Sequence, residues 1–309
     1  MHFASTVLMI RPTSFGFNIE TSMDNVFQKQ NHRLSNQQIQ LQAEKESSLL
    51  RKKLIDNNIN VIYAYENCES ATPDALFPNN WFSTHDNGTL VLYPMLAANR
   101  RKERNASLIN YLKNSFQIKE TIDLTQSEDE NKFLEGTGSL VFDHKNKTCF
   151  VSISERTNIE LATNINNKLA YQTTILNYTD ENNIPVYHTN VCMCIGDGFV
   201  IIATDNLNSK SEHTTLFEYF EANNLDPVLL SSKQVHSFCG NALQLQTTNG
   251  QPVLAMSNTA FNAFSTEQIK TIEKHSDILH TPIDTIEQIG GGSVRCMLAE
   301  IFLKPKNSF

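Results

Sequence analysis

The chain has 309 residues, 40% of them hydrophobic and 19% charged, which is the composition of a globular protein large enough to bury a full core. Its net charge of -8 provides no basic field for a phosphate backbone and argues against nucleic-acid binding. No run approaches the roughly 20 apolar residues of a membrane span, and the apolar stretch near the start is too short for a secretion signal. We therefore expect a cytoplasmic protein without a membrane partner.

A repeated order of hairpin, helix and strand, about 50 to 60 residues long, organises the chain. In the first unit a strand at Val7–Ile10 is followed by a helix over about residues 36–55 and a strand at Val61–Ala64. In the second unit, apolar residues at helical spacing from Leu108 to Phe116 predict a helix, and Thr121–Leu124 predicts its closing strand.

Three hairpins continue the repeat, each followed by apolar residues at helical spacing and then by a closing strand. The predicted hairpins are Leu140–Phe142 with Cys149–Val151, Cys192–Ile195 with Phe199–Ile202, and Ala242–Leu245 with Val253–Met256. The predicted helices lie near Ala162–Leu169, Leu216–Phe220 and Ile269–Ile272. The predicted closing strands are Val186–His188, Pro227–Leu230 and Ile278–His280.

Five units leave one strand, Val294–Leu303, without a hairpin partner. Pairing of this strand with the first unit would remove an open sheet edge and close the units into a ring. No linker composition divides the chain. The sequence therefore predicts one α/β domain over residues 1–309, a five-unit αβ propeller with pseudo-fivefold repeats that its C-terminal strand closes.

Three segments carry residues suited to chemistry. Glu135 precedes two glycines at the mouth of a hairpin, His188 ends a predicted strand, and Cys296 follows three glycines. A core strand gains nothing from three glycines, which favours a functional role for the cysteine. A thiolate needs a neighbouring cation or proton acceptor, and a carboxylate can hold and relay protons. Each residue alone also fits a structural role, as a buried thiol, a satisfied histidine or a solvated acid.

The six cysteines are scattered and are interpreted as reduced thiols. Cys192 and Cys194 share one strand face, but no Cys-x-x-Cys or nearby histidine pair completes a tetrahedral site. A core position is favoured over metal binding for both. We expect neither a metal nor an organic cofactor.

The three segments resemble, in order and spacing, the motifs of the pentein or guanidino-group modifying superfamily, which includes arginine deiminase, dimethylarginine dimethylaminohydrolase and the amidinotransferases. Leu134-Glu135-Gly136 is similar to the Glu-Gly-Gly-Asp motif, His188 to the histidine of the His-Leu-Asp motif, and residues 290–297 to the nucleophile motif. The resemblance covers essentially the whole chain. It implies a five-unit αβ propeller and a catalytic set of Cys296, His188 and Glu135.

The resemblance also implies an amino-acid substrate. Residues 154–158 are similar to the family's Ser-x-Arg-Thr segment, whose arginine binds the substrate α-carboxylate, a role that falls here on Arg156. A guanidinium suits this task because it binds a carboxylate in a bidentate manner. Asp74 and Asn18 complete the implied substrate-binding residues, together with Asn80 and Asn190.

Two positions depart from the family pattern. The Pro-Asp-x-x-Phe-x-x-Asp segment, whose last carboxylate holds a guanidinium, ends here in Asn80, although a shifted register would place His85 there. The second such carboxylate, two residues after the histidine, is Asn190. A neutral ureido group needs only the donors and acceptors that asparagine supplies.

The chain is similar to the citrulline-utilisation hydrolase branch of the superfamily. This resemblance implies hydrolysis of citrulline to ornithine, ammonia and carbon dioxide through an S-carbamoyl intermediate on Cys296. The alternatives are a guanidino hydrolase of the arginine deiminase, dihydrolase or dimethylarginine type, an amidinotransferase, and a non-enzymatic binding module. The sequence leaves the oligomeric state open, a homodimer included.

Overall fold

The computed structural model describes residues 2–31, 33–66, 72–180, 183–205, 207 and 209–306. This part of the chain forms five three-stranded sheets. In each sheet the middle strand pairs antiparallel with one neighbour and parallel with the other, and a helix lies in the crossover of the parallel pair. The five sheets therefore repeat one unit of α/β structure, as the sequence predicted.

The strands of the five sheets are short, with two to six residues each. They are β1 Thr6–Arg11, β2 Asn60–Tyr65, β3 Phe82–Thr84, β4 Thr89–Leu92, β5 Glu120–Asp123, β6 Leu140–Asp143, β7 Thr148–Ser152, β8 Gln172–Leu176, β9 Met193–Ile195, β10 Phe199–Ala203, β11 Asp226–Leu230, β12 Leu243–Gln246, β13 Pro252–Ser257, β14 Asp277–Thr281 and β15 Ala299–Glu300. The sheets have the strand orders β15-β1-β2, β3-β4-β5, β6-β7-β8, β9-β10-β11 and β12-β13-β14.

The α-helices of the described residues range from long crossover helices to single turns. They are α1 Asn36–Asp56, α2 Ala98–Arg101, α3 Ala106–Ser115, α4 Gly136–Ser139, α5 Ile159–Lys168, α6 Lys210–Ala222, α7 Ser232–His236, α8 Asn258–Ala263, α9 Thr266–Glu273, α10 Asp284–Gly290 and α11 Val294–Met297. Short 3-10 turns cover Pro78–Asn80, Thr125–Glu130 and Thr189–Val191.

Local sequence explains why α1 forms where it was predicted. Ser35 and Gln38 make a reciprocal capping box at its first turn, which satisfies backbone N–H groups that no helical carbonyl can reach. Ile39, Leu50 and Leu54 lie on its buried face and pack against the first and fifth units. The predicted helix over about residues 36–55 is confirmed.

The C-terminal segment pairs with the first unit, as predicted. β15 runs antiparallel to β1, with Leu8 opposite Ala299. The predicted strand Val294–Leu303 is nevertheless wrong in extent, because residues 294–297 form the helical turn α11 and only two residues form β15. In each sheet one edge strand pairs antiparallel with the middle strand. These edge strands contact one another between units, since β15 contacts β3, β6 contacts β9, and β9 contacts β12. Closure of the five units into a propeller ring stays a prediction.

The predicted closing strand Val186–His188 is wrong. The third sheet is closed by β8, which pairs parallel with β7. Helix α5 ends at Lys168, and Ala170 adopts a left-handed conformation with φ 60° that turns the chain directly into β8. His188 keeps an extended backbone but belongs to no strand, and it immediately precedes the turn at residues 189–191.

The middle strands of the sheets are buried on both faces, as β10 shows with every residue inaccessible to solvent. Cys192 and Cys194 lie in this core, as predicted, whereas Cys68 lies outside the described residues.

In the part of the chain that the structure describes, no group of three or more His, Cys, Asp or Glu side chains is placed to hold a metal ion. No helix of that part is long and apolar enough to cross a membrane.

Candidate functional site

Most of the predicted site residues occupy the same place in different units. They lie in or beside the short turn that precedes the first strand of a sheet, at residues 78–80, 136–139, 189–191 and 294–297. The turn α4 contacts the 3-10 turns at residues 78–80 and 189–191, and α11 contacts the turn at residues 78–80. Four units thus bring Asn80, Glu135, His188, Asn190 and Cys296 to one buried region.

Two glycines of α4 permit this close packing. Gly136 has a positive φ of 44°, and a Cβ there would lie 2.4 Å from the carbonyl oxygen of Asn79. A Cβ on Gly138 would lie 2.5 Å from Nδ2 of Asn80 and 2.7 Å from Nδ1 of His188. The two glycines therefore let this turn approach neighbouring turns of the protein closely.

His188 and Glu135 form a buried pair, with Nε2 of His188 2.8 Å from Oε2 of Glu135. Burial lowers the pKa of His188 despite its carboxylate partner. Burial would raise the pKa of Glu135, but the guanidinium of Arg156 and the imidazole hold that pKa well below its usual range. An ionised carboxylate only accepts hydrogen bonds, so Nε2 of the neutral imidazole carries the hydrogen and Nδ1 keeps a free lone pair.

The thiol of Cys296 lies between two asparagine amides. Nδ2 of Asn241 is 3.2 Å and Nδ2 of Asn190 is 3.8 Å from Sγ. Burial raises the pKa of Cys296, and the amide of Asn241 opposes this rise. Among the described residues no hydrogen bond joins Sγ to His188. The lowered pKa of His188 and the raised pKa of Cys296 favour a neutral imidazole and a neutral thiol at rest.

Arg156 lies beside Glu135 and already holds a carboxylate. Its Nε and Nη2 donate to the two oxygens of Asp24 at 2.7 and 2.5 Å, and Nη1 lies 3.4 Å from Oε2 of Glu135. The guanidinium packs over the ring of Tyr187 at 4.9 Å. Two parallel hydrogen bonds to one carboxylate are the strongest form of this ion pair, and a guanidinium held in this way can bind a carboxylate in a bidentate manner.

The segment from Asn18 to Lys29 covers this region. Nδ2 of Asn18 and Oγ1 of Thr21 donate to Oδ2 of Asp74 at 2.8 and 3.0 Å. At the other end of the segment, the backbone N–H of Lys29 donates to the carbonyl of Gln288 at 2.7 Å. Oδ1 of Asp74 is buried without a hydrogen-bond partner among the described residues. Burial raises the pKa of Asp74, and Arg100 opposes this rise.

Sequence reasoning missed two residues of the site. Nη1 of Arg100 donates to Oδ1 of Asn80 at 3.0 Å, although the sequence showed Arg100 only as part of a basic run. Asn241 precedes β12 as the other site residues precede their strands, and this equivalent position was the signal that could have identified it. The sequence left either His85 or Asn80 for one position of the site. His85 lies just beyond β3, where its Nε2 bonds the hydroxyl of Ser83. Asn80 is the one of the two that contacts Arg100 of the site.

Residues 11–303 match the family described as N,N dimethylarginine dimethylhydrolase, eukaryotic. The chain belongs to this family. The dimethylarginine dimethylhydrolase family is part of the pentein superfamily, so the predicted superfamily and the predicted hydrolase of carbon–nitrogen bonds are both confirmed. The citrulline branch is not singled out.

Solved structures of similar fold align with almost the whole of this chain. The N-terminal domain of ArgZ, an arginine dihydrolase from cyanobacteria, has a TM-score of 0.72 at 17% identity over 96% of this chain and 97% of its own. AgrE in complex with L-arginine has a TM-score of 0.72 at 15% identity, and the match covers 96% of this chain and 40% of AgrE.

A dimethylarginine dimethylaminohydrolase in an adduct with S-methyl-L-thiocitrulline has a TM-score of 0.65 at 11% identity, over 97% of this chain and 100% of its own. At these identities the likeness to solved structures shows a common fold. No curated protein sequence matches the chain.

Proposed function

We propose that the protein hydrolyses a carbon–nitrogen bond in the guanidino group of an arginine-type amino acid, with Cys296 as nucleophile. The observation that carries the proposal is the meeting of this thiol with the His188–Glu135 pair and with Arg156 in one buried region. The family, and the arginine bound in the AgrE structure, support the same substrate class. The proposal replaces citrulline, the substrate first expected from the sequence, as the leading candidate.

The charges of the site favour a cationic substrate. Its carboxylates outnumber its guanidinium groups, with Asp24, Asp74, Glu103 and Glu135 against Arg100 and Arg156. Burial raises the pKa of Glu103 to about 7, even though Arg100 pairs with it. Free arginine adds two positive charges and one negative charge, whereas citrulline adds one of each. An arginine-type substrate thus brings a net positive charge to offset the carboxylates of the site, whereas citrulline brings no net charge.

In the proposed mechanism, Sγ of Cys296 attacks the guanidino carbon after its proton passes to Nδ1 of His188. The positive charge of a guanidinium close to Sγ favours the thiolate, and Glu135 stabilises the imidazolium that forms. His188 then protonates the departing nitrogen, which leaves an amidino group bonded to sulfur. Water attacks this intermediate with His188 as base, and the carbon–sulfur bond breaks to return the thiol.

A panel of substrates tests the proposal. We expect turnover of L-arginine or a methylated arginine, measured by mass spectrometry of the products, and little turnover of agmatine, which has no carboxylate for Arg156 to bind. Citrulline and ammonia as products would define a deiminase. Ornithine, ammonia and carbon dioxide would define a dihydrolase, and citrulline with a methylamine would define a methylarginine hydrolase. Turnover of citrulline alone, or transfer of the amidino group to an added amine, would overturn the proposal.

Arg156→Lys is expected to raise KM for amino-acid substrates about 10- to 100-fold with a smaller change in kcat, because a point charge replaces a bidentate fork. Lysine keeps the positive charge beside Glu135, so the His188 pair should persist. Arg101→Lys is the matched control, since Arg101 pairs with Glu128 away from the thiol. An unchanged KM in Arg156→Lys would assign the carboxylate to another cation of the site.

One observation keeps citrulline as the second candidate. Nδ2 of Asn80 is buried without a hydrogen-bond partner among the described residues, and it could donate to a neutral ureido oxygen. Asn190 is less suited to that role than the sequence suggested, because its Nδ2 donates to the carbonyl of Thr137 at 3.1 Å.

Asn80→Asp is accordingly expected to increase the ratio of kcat/KM for arginine over citrulline about tenfold, since a carboxylate pairs with guanidinium but not with a ureido oxygen. Asn105→Asp controls for the added charge, because Asn105 caps α3 outside the site. A ratio that does not move would show that Asn80 takes no part in this choice.

A further inference from the structure

We propose that Asn241 is a positioning residue for the reaction, whose side-chain amide orients the thiol of Cys296 and stabilises its thiolate by a hydrogen bond. This inference rests on the proposed role of Cys296 as nucleophile. It concerns a residue from the fifth unit, which supplies none of the side chains predicted for the site.

The hydrogen bonds of Asn241 fix the direction of its amide. Nδ2 lies 3.2 Å from the backbone carbonyl oxygen of Asn190, 3.3 Å from Oδ1 of the same residue and 3.2 Å from Sγ of Cys296. A backbone carbonyl only accepts hydrogen bonds, so the end of Asn241 that faces it must be the NH2 group. The group beside Sγ is therefore a donor, and its preferred partner is a thiolate.

The backbone around Asn241 holds this donor in place. A Cβ on Gly240 would lie 2.3 Å from the carbonyl oxygen of Val191, so only glycine lets the chain before β12 pack directly on the turn at residues 189–191. The carbonyl of Asn241 accepts a hydrogen bond from the backbone N–H of Arg295 at 3.3 Å. Asn241 thus joins the turn that follows His188 to the turn that carries Cys296.

The other groups around the thiol stabilise its thiolate less than the amide of Asn241 does. Burial raises the pKa of Cys296, and Arg295 and the backbone of Ser293 oppose the rise less than Asn241 does. The hydroxyl of Tyr187 donates to the carbonyl of Gly291 and not to sulfur. His188, neutral and bonded to Glu135, adds no positive charge at rest. Asn241 also accepts no hydrogen bond at its buried Oδ1 among the described residues, which leaves that oxygen able to accept from a substrate N–H.

The test uses Asn241→Ala and Asn241→Ser, which both remove the amide, while the serine hydroxyl can still donate to the carbonyl of Asn190. The thiol pKa is measured from the pH dependence of alkylation by iodoacetamide in the absence of substrate, with the modified residue located by mass spectrometry. We expect the pKa of Cys296 to rise by about one unit, which slows alkylation about tenfold below that pKa and corresponds to about 1.4 kcal/mol. In turnover, kcat should fall while KM changes little, and Asn241→Gln should restore part of the alkylation rate.

Asn166→Ala is the matched control, because Asn166 is a buried asparagine whose amide donates to Thr173 far along the third unit. It should lower thermal stability without moving the pKa of Cys296. A folded Asn241 variant with the parent's alkylation profile would overturn the proposal, even if its turnover were reduced. Alkylation needs no substrate, so a failure of the guanidino-hydrolase assignment would appear in the substrate panel and leave this result unaffected.

Discussion

Cys296→Ser is expected to leave a folded protein whose turnover of its guanidino substrate falls by at least about four orders of magnitude. A serine hydroxyl has almost no alkoxide character near neutral pH, and neither His188 nor the two amides supplies the charge that would form one. Serine is slightly smaller than cysteine and can accept the same hydrogen bond from Asn241, so the turn α11 should keep its structure. The measurements are kcat with the preferred substrate and the melting temperature.

Cys192→Ser is the matched control for this experiment. Cys192 is equally buried but lies among apolar side chains at the start of the fourth sheet, where burial raises its pKa with no opposing group. We expect this variant to lose stability and to keep its specific activity. Turnover of Cys296→Ser within about tenfold of the parent would remove Cys296 as nucleophile. A covalent intermediate trapped on Cys192 or Cys239 would identify a different site.

The repeat was readable from sequence because each unit is built from local signals. The apolar run of β10 and its turn at Gly196–Gly198 specify a buried hairpin, and Ser35 with Gln38 specifies the start of α1. The error at the third closing strand has a local cause too. Val186–His188 and Gln172–Leu176 both favour extended structure, and the left-handed turn at Ala170, which selects the second, has no glycine to mark it.

The backbone that carries the nucleophile was harder to predict. Residues 294–303 are apolar enough for a strand, yet the first four form the turn α11. Gly290 and Gly292 pack against the ring of Phe77, and Gly291 adopts a φ of 63° at the end of α10. These tertiary contacts redirect the chain before β15, and they cannot be predicted from the pattern of apolar residues.

The same limit applies to side-chain partners. Motif resemblance identified Glu135 and His188, and the structure places them 2.8 Å apart. Resemblance also assigned Asn190 to the substrate, whereas its amide bonds the protein backbone and approaches Sγ. Asn241 and Arg100 belong to no recognised motif. Their contacts join segments that are far apart in sequence, so these two residues can be assigned to the site only from the folded structure.

Glu135→Gln is expected to lower kcat by about two to three orders of magnitude with little change in KM. Glutamine can still accept a hydrogen bond from Nε2 of His188, but it cannot stabilise the imidazolium that forms when the thiol proton reaches Nδ1. Glu135 raises the pKa of His188 against the effect of burial, so its removal should lower that pKa further. Because only the neutral imidazole accepts the proton, activity is lost as pH falls through the pKa of His188. The acid limb of the pH–rate profile should therefore move to lower pH in Glu135→Gln.

Glu103→Gln separates this catalytic effect from the loss of a buried charge. Glu103 is as buried as Glu135 and pairs with Arg100 through Oε1 at 2.9 Å and Oε2 at 3.0 Å, but it makes no contact with His188 among the described residues. Its substitution leaves a buried guanidinium with fewer partners and should lower the free energy of unfolding by about 3 kcal/mol or more. The acid limb should stay where it is in the parent. If the acid limb moved equally in the two variants, Glu135 would act only through the net charge of the site. If the acid limb of Glu135→Gln stayed at the pH of the parent, His188 would not be the proton acceptor.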